Sequence, residues 1–217
     1  MKKILLILST AALALTARGN TIVFDDLGPG GTYNGSSGYG VGQFGDNPSP
    51  LIGARFTAGA SGTLATIDLG LTRSSFAGIV GVFLYGDAGG SPDNASQTFL
   101  GSAVPAGDFG TTNNSLASFT VAGNVLVTAD SVYWLVLKPF SAHGGGVWNE
   151  SLTTFGAVGV GNGSPPFGWT VSPDSHLPAF RITAFETVSD SGNTILLLLG
   201  SVVALLALRR TVFTRTN

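Results

Sequence analysis

Trp148 and Trp169 flank glycine-rich stretches, and Tyr33 and Tyr39 lie within another. Aromatic faces stack on the apolar faces of sugar rings, so these four residues are the candidate ligand contacts. Carboxylate chemistry has a thinner basis. Glu150 and Glu186 are the only glutamates, and the adjacent Asp25 and Asp26 point to opposite faces if their segment is extended. Glycoside hydrolysis needs two acids a few ångströms apart in one cleft. Surface charge and turn formation account for the same acids, so an extracellular carbohydrate-active hydrolase using Asp or Glu is the alternative reading. The two histidines, His143 and His176, come without a G-x-S-x-G elbow, and a solvated loop histidine is the default for each. The run from Asp87 to Asn94 is rich in oxygen donors. It makes Asp87 and Asp93 candidate ligands for a structural calcium ion, the one cofactor considered, although the spacing is not an EF-hand and the same residue types form ordinary turns. Gly40-Val41-Gly42-Gln43-Phe44-Gly45 matches the glycine pattern of a pyrophosphate cradle. The sequence that follows, Asp46-Asn47-Pro48-Ser49-Pro50, cannot start the helix such a cradle needs, so a turn-rich loop is expected there.

The elements that must position these residues are strands. There are 32 glycines among 217 residues, with β-branched and aromatic residues between them, and that is not a helical composition. Residues 63–72 alternate cleanly, with Ile67, Leu69 and Leu71 on one side and Thr66, Asp68 and Gly70 on the other, as in a half-buried strand. Residues 79–85 and 132–137 are apolar on both sides and predict well-buried central strands, with Trp134 in the core. Further strands are expected at 21–25, 51–58, 98–103, 116–121, 153–160 and 179–186, and a long glycine-rich loop at 28–47. Short strands separated by Gly, Ser, Asn and Pro predict an all-β, antiparallel β-sandwich of jelly-roll-like form.

The two ends read as addresses. Lys2-Lys3, an apolar run over residues 4–15 and a small-residue exit have the layout of a secretory signal peptide, with cleavage expected between Ala17 and Asn20. At the other end, Val188-Ser189-Asp190-Ser191-Gly192 precedes an apolar run over residues 195–208, and Arg209-Arg210 stop it. A helix over that run rises only about 21 Å, so spanning a bilayer requires its neighbours or snorkelling arginines. Basic residues flank both apolar runs and stay on the cytoplasmic side, which places the middle of the chain across the membrane. The organisation expected is a signal peptide with its hydrophobic helix at 1–19, a sandwich ectodomain at 20–187, and a C-terminal motif, hydrophobic helix and basic tail at 188–217. The chain contains no cysteine, which excludes thiol catalysis and leaves stability to the core. All twelve acids lie from Asp25 to Asp190, against only Arg55, Arg73, Lys138 and Arg181. So acidic a domain lacks the basic footprint of a nucleic-acid binder.

The C-terminus resembles the sorting signals of exosortase-processed proteins of Gram-negative bacteria, the PEP-CTERM-like group, in the variant whose motif reads Val-Pro-Asp-Ser-Gly. Ser189 stands where that motif has Pro. The resemblance implies an exosortase-type processing enzyme as partner, transient membrane anchoring through the C-terminal helix, and delivery to the cell envelope, outer surface or extracellular matrix. The middle is similar to the choice-of-anchor exported domains, most like the R type. The likeness rests on Phe56-Thr57, residues 64–71, Val82-Phe83-Leu84-Tyr85, the Gly90-Ser91-Pro92 turn, and residues 126–137 ending in Tyr133-Trp134-Leu135-Val136-Leu137. That resemblance implies a β-rich ectodomain and no catalytic residues. Together these features predict a non-enzymatic surface or matrix protein that contacts exopolysaccharide through its loop aromatics.

Overall fold

The computed structural model describes residues 19–42, 50–73, 78–110, 115–140, 145–162 and 168–186. The signal segment, His143, the sorting motif Val188–Gly192, the C-terminal apolar run and Arg209-Arg210 lie outside them. Among the described residues no helix is long and apolar enough to cross a membrane.

The protein is all-β, and every strand ladder is antiparallel. The strands are β1 (Asn20–Asp25), β2 (Asn34–Gly42), β3 (Pro50–Thr57), β4 (Gly62–Leu69), β5 (Leu71–Thr72), β6 (Val80–Gly86) and β7 (Thr98–Ala103), followed by β8 (Ala117–Thr120), β9 (Leu126–Val127), β10 (Val132–Pro139), β11 (Gly145–Asn162), β12 (Trp169–Pro178) and β13 (Phe180–Glu186). One sheet runs β1-β13-β4-β8, with β9 also paired to β4. The larger runs β12-β11-β3-β10-β6-β7, with β2 and β5 paired to β11.

The two sheets form a sandwich-like pair because alternate residues of each bury on a common interior. Phe24, Ile67, Leu69, Phe180 and Ile182 come from the smaller sheet. Ile52, Ala54, Phe56, Val82, Leu84, Leu135 and Leu137 come from the larger. Phe24 stacks on Phe180 at 4.7 Å and Phe56 meets the Phe180 ring at 5.8 Å, so aromatic pairs tie the layers together.

Five expectations change. The loop expected over 28–47 contains β2, which pairs with the first part of β11 and so satisfies its backbone groups despite its glycine content. Gly40, Val41 and Gly42 of the cradle-like pattern are therefore strand residues. The single alternating strand over 63–72 breaks at Gly70, and Leu71-Thr72 pair with β11 in the other sheet. Tyr33 packs against the break: its ring lies 2.9 Å from where a Cβ on residue 70 would stand. Finally, the strand expected at 153–160 extends over Gly145–Asn162. His176 is a strand residue of β12, its ring 4.0 Å from that of Phe155.

Candidate aromatic face of the larger sheet

A second apolar cluster lies on the side of the larger sheet that faces away from the sandwich interior. It contains Leu51, Tyr85, Trp134 and Val136, with Phe83, Ala157, Trp169 and Val171 packed against it. Strand register puts them together. Trp134 stands opposite both Arg55 and Tyr85, Val136 opposite Gly53 and Phe83, Phe83 opposite Phe99, and Gly161 opposite Trp169.

Glycine makes room for the rings. A Cβ on Gly161 would stand 3.0–3.1 Å from three atoms of the Trp169 ring, and one on Gly159 3.1 Å from Trp169 and 3.3 Å from Trp134. Gly53 carries the same two indoles, at 3.3 and 3.4 Å. A methyl group at any of the three would press on one or both indoles. Gly81 similarly receives Phe83 and Phe140, each 2.9 Å from its absent Cβ.

Polar groups fix the rings. The fully buried Trp134 donates its indole N–H to Asp87 Oδ1 at 2.8 Å, and the same oxygen accepts from Arg55 Nε at 2.9 Å. The other Asp87 oxygen accepts from Gly90 N at 3.1 Å. Burial pushes the Asp87 pKa up, but hydrogen bonds from Arg55, Trp134 and Gly90 outweigh it and hold the carboxyl below its usual range. Asp93 accepts from Ala95 N at 2.9 Å and caps the single 3₁₀ turn Asn94–Ser96. Next to it, Asn94 accepts from Trp169 Nε1 at 3.1 Å, and Trp169 meets Tyr85 edge to face at 6.2 Å. The run read as a calcium loop is thus the bracket that orients two tryptophans. Among the described residues no group of three or more His, Asp or Glu is placed to hold a metal ion.

The row continues across the sheet. Tyr85 and Lys138 both donate to Gln97 Oε1, at 3.0 and 2.8 Å. Lys138 Nζ lies 4.5 Å above the Phe83 ring and 5.0 Å from that of Tyr85. Burial raises the Tyr85 pKa to about 12 and lowers that of Lys138. Beyond them, Phe99 is 45 % exposed and Phe140 is 56 % exposed, joined to Phe83 in a chain of ring contacts of 5.2 and 5.7 Å. Six strands about 4.8 Å apart make this face about 24 Å wide.

The other sequence-derived candidates are placed elsewhere. Trp148 has no exposed surface; it packs 5.6 Å from Phe180 and donates to the Ala179 carbonyl. Tyr33 is buried beneath Gly70 and donates to Ser115 O at 3.0 Å. Tyr39 donates to His176 O at 2.7 Å, and burial, then the charge of Glu150, raises its pKa. As placed, Trp148 and Tyr33 offer no ring face to a ligand: both are consumed by the interior. Of the four aromatics, Trp169 alone joins the outer face. The nearby pocket of about 350 Å³, lined by residues including Tyr85, Thr98, Asn124, Leu126 and Tyr133, has no carboxylate or imidazole in its lining.

No family model, curated protein or solved structure matches the chain.

Proposed function

We propose that this chain is an exported, non-enzymatic surface or extracellular-matrix protein whose jelly-roll-like ectodomain holds polysaccharide against the outer face of its larger sheet. The observation that carries the reading is the Trp169 ring seated over Gly159 and Gly161, backed by the buried Trp134 and Tyr85, together with the chain of rings from Phe83 to the exposed Phe99 and Phe140. Trp169 and Phe83, partly exposed, and Phe99 and Phe140, exposed, are backed by the buried Trp134 and Tyr85, and such exposed rings suit the apolar faces of sugars. The carboxylates nearest to it, Asp87 and Asp93, are committed to Arg55, Trp134 and backbone amides. That commitment favours holding a glycan over cleaving it. On this reading residues 1–19 direct export. Val188–Gly192, the apolar run and Arg209-Arg210 form the sorting signal read by an exosortase-type enzyme after transient anchoring.

The test has two parts. A panel of neutral and acidic polysaccharides should retain the protein on affinity electrophoresis, with Trp169→Ala abolishing retention; no retention by any glycan refutes the binding role. Terminal mapping of protein recovered from envelope and medium should find a start near residue 20 and loss of Arg209-Arg210. An intact cytosolic chain refutes the export role.

A further inference from the structure

Four cationic side chains lie among the described residues, and three have carboxylate partners. Arg55 pairs with Asp87 at 2.9 Å, Arg73 with Asp108 at 3.3 Å, and Arg181 with Asp25 at 2.8 Å and Asp68 at 3.9 Å. Lys138 is the exception. Its ammonium has one amide oxygen, Gln97 Oε1, and two ring faces, and among the described residues it forms no ion pair. It also sits at the middle of the aromatic row, with Trp169 and Tyr85 to one side and Phe83, Phe99 and Phe140 to the other. A domain so rich in acids has ample carboxylates to pair with this lysine, yet the sheet surrounds it with rings.

The geometry points to Lys138 as the subsite for the carboxylate of an acidic polysaccharide, a uronic-acid residue whose ring stacks on the aromatic row. The inference rests on the glycan-binding reading above and narrows it to a charge class. A partly desolvated ammonium without a counter-ion gains more from a bound carboxylate than an exposed one does, because the attraction is less screened. Burial already lowers the Lys138 pKa, which is what an uncompensated cation on this face experiences. A single point charge with rotatable donors suits one monovalent anion; a phosphate is met more often by a forked guanidinium. An anionic membrane surface is the poorer occupant. It requires many cations, and the excess of acids repels it along the whole contact.

The probes are oligogalacturonate and its fully methyl-esterified form, which share a backbone and differ in charge. By isothermal titration the full-length protein should bind the acid form about fivefold to twentyfold more tightly, with the preference falling as salt rises. Lys138→Gln should bring the two affinities together while leaving binding of the ester in place, and Arg73→Gln should leave the preference intact. Equal affinity of the wild type for both forms, or a preference that survives Lys138→Gln, overturns the inference and leaves the glycan reading standing. Binding to neither form overturns the inference, while the glycan reading stands or falls on the polysaccharide panel above. Lys138-dependent binding to vesicles of phosphatidylglycerol and phosphatidylcholine, without a glycan preference, assigns the face to a membrane and overturns both.

Discussion

The two sheets present opposite kinds of outer face. On the smaller one, Asp25, Arg181 and Asp68 form a ladder across β1, β13 and β4, Ser118 of β8 donates to Asp68 at 2.6 Å, and the Thr66 and Thr183 hydroxyls meet at 2.6 Å. This is how an antiparallel sheet ordinarily meets water. On the larger sheet the corresponding positions carry Trp134, Tyr85, Phe83, Val136 and Trp169, with glycines beneath the indoles. A face that only needed solvent would not require three glycines to seat rings. The contrast teaches that the larger sheet carries a second buried apolar cluster, Leu51, Tyr85, Trp134 and Val136, besides the layer between the sheets.

The comparison can be broken most forcefully at Trp134. If the outer cluster is packed like an interior, Trp134→Ala costs about 3–5 kcal/mol in urea unfolding. A cost below about 1 kcal/mol would mean that the aromatic face is only surface. Next is the buried neighbour of the polar ladder. Asp25 pairs outward, whereas Asp26 is 5 % exposed, accepts from Phe180 N at 2.6 Å and leaves Oδ2 unpartnered. Burial raises its pKa from 3.8 to about 7, so the folded state keeps a proton that the unfolded chain releases. Stability from this group is present at low pH and lost as pH rises from about 4 through about 7, by at most roughly 4 kcal/mol. Asp26→Asn should flatten that slope in denaturation curves taken at successive pH values; an unchanged slope refutes the assignment.

Smaller effects separate the faces further. Gly161→Ala pushes on the end of a movable ring, so it should cost about 1–2 kcal/mol while shifting Trp fluorescence and weakening glycan retention. Arg181→Ala, in the ladder, should cost at most about 1 kcal/mol and leave retention alone. Equal retention losses for the two variants would erase the distinction between the faces.

Much of the strand pattern was legible because it rests on period-two burial. Ile67 and Leu69 alternate with Thr66 and Asp68, and both sets lie on the faces expected. The opposed directions of Asp25 and Asp26 were legible for the same reason. Strand β2 was not, because Gly35, Gly38, Gly40 and Gly42 carry no alternation and its partner, β11, lies over a hundred residues away. Strand β12 was hidden by Pro173 and by its polar exposed residues.

The site was half legible. Trp169 and the run from Asp87 to Asn94 each stood out for separate reasons, but only the folded chain joins them through Asn94 and Trp134. Glycine-flanked Trp148 and Tyr33 looked alike in sequence to Trp169, and long-range pairing buries them. The signal for the rest was present: Phe83 and Tyr85 share one parity in β6, and Trp134, Val136 and Lys138 one parity in β10. Apolar character on both sides read simply as a central strand, when it also meant a second hydrophobic face.

The central claim is tested most directly by affinity electrophoresis of the wild type, Trp169→Ala and Arg181→Ala through gels containing an acidic polysaccharide. The account predicts that the wild type and Arg181→Ala are retarded alike and that Trp169→Ala migrates as though the glycan were absent. Unchanged retardation of Trp169→Ala, at undiminished stability, would contradict it.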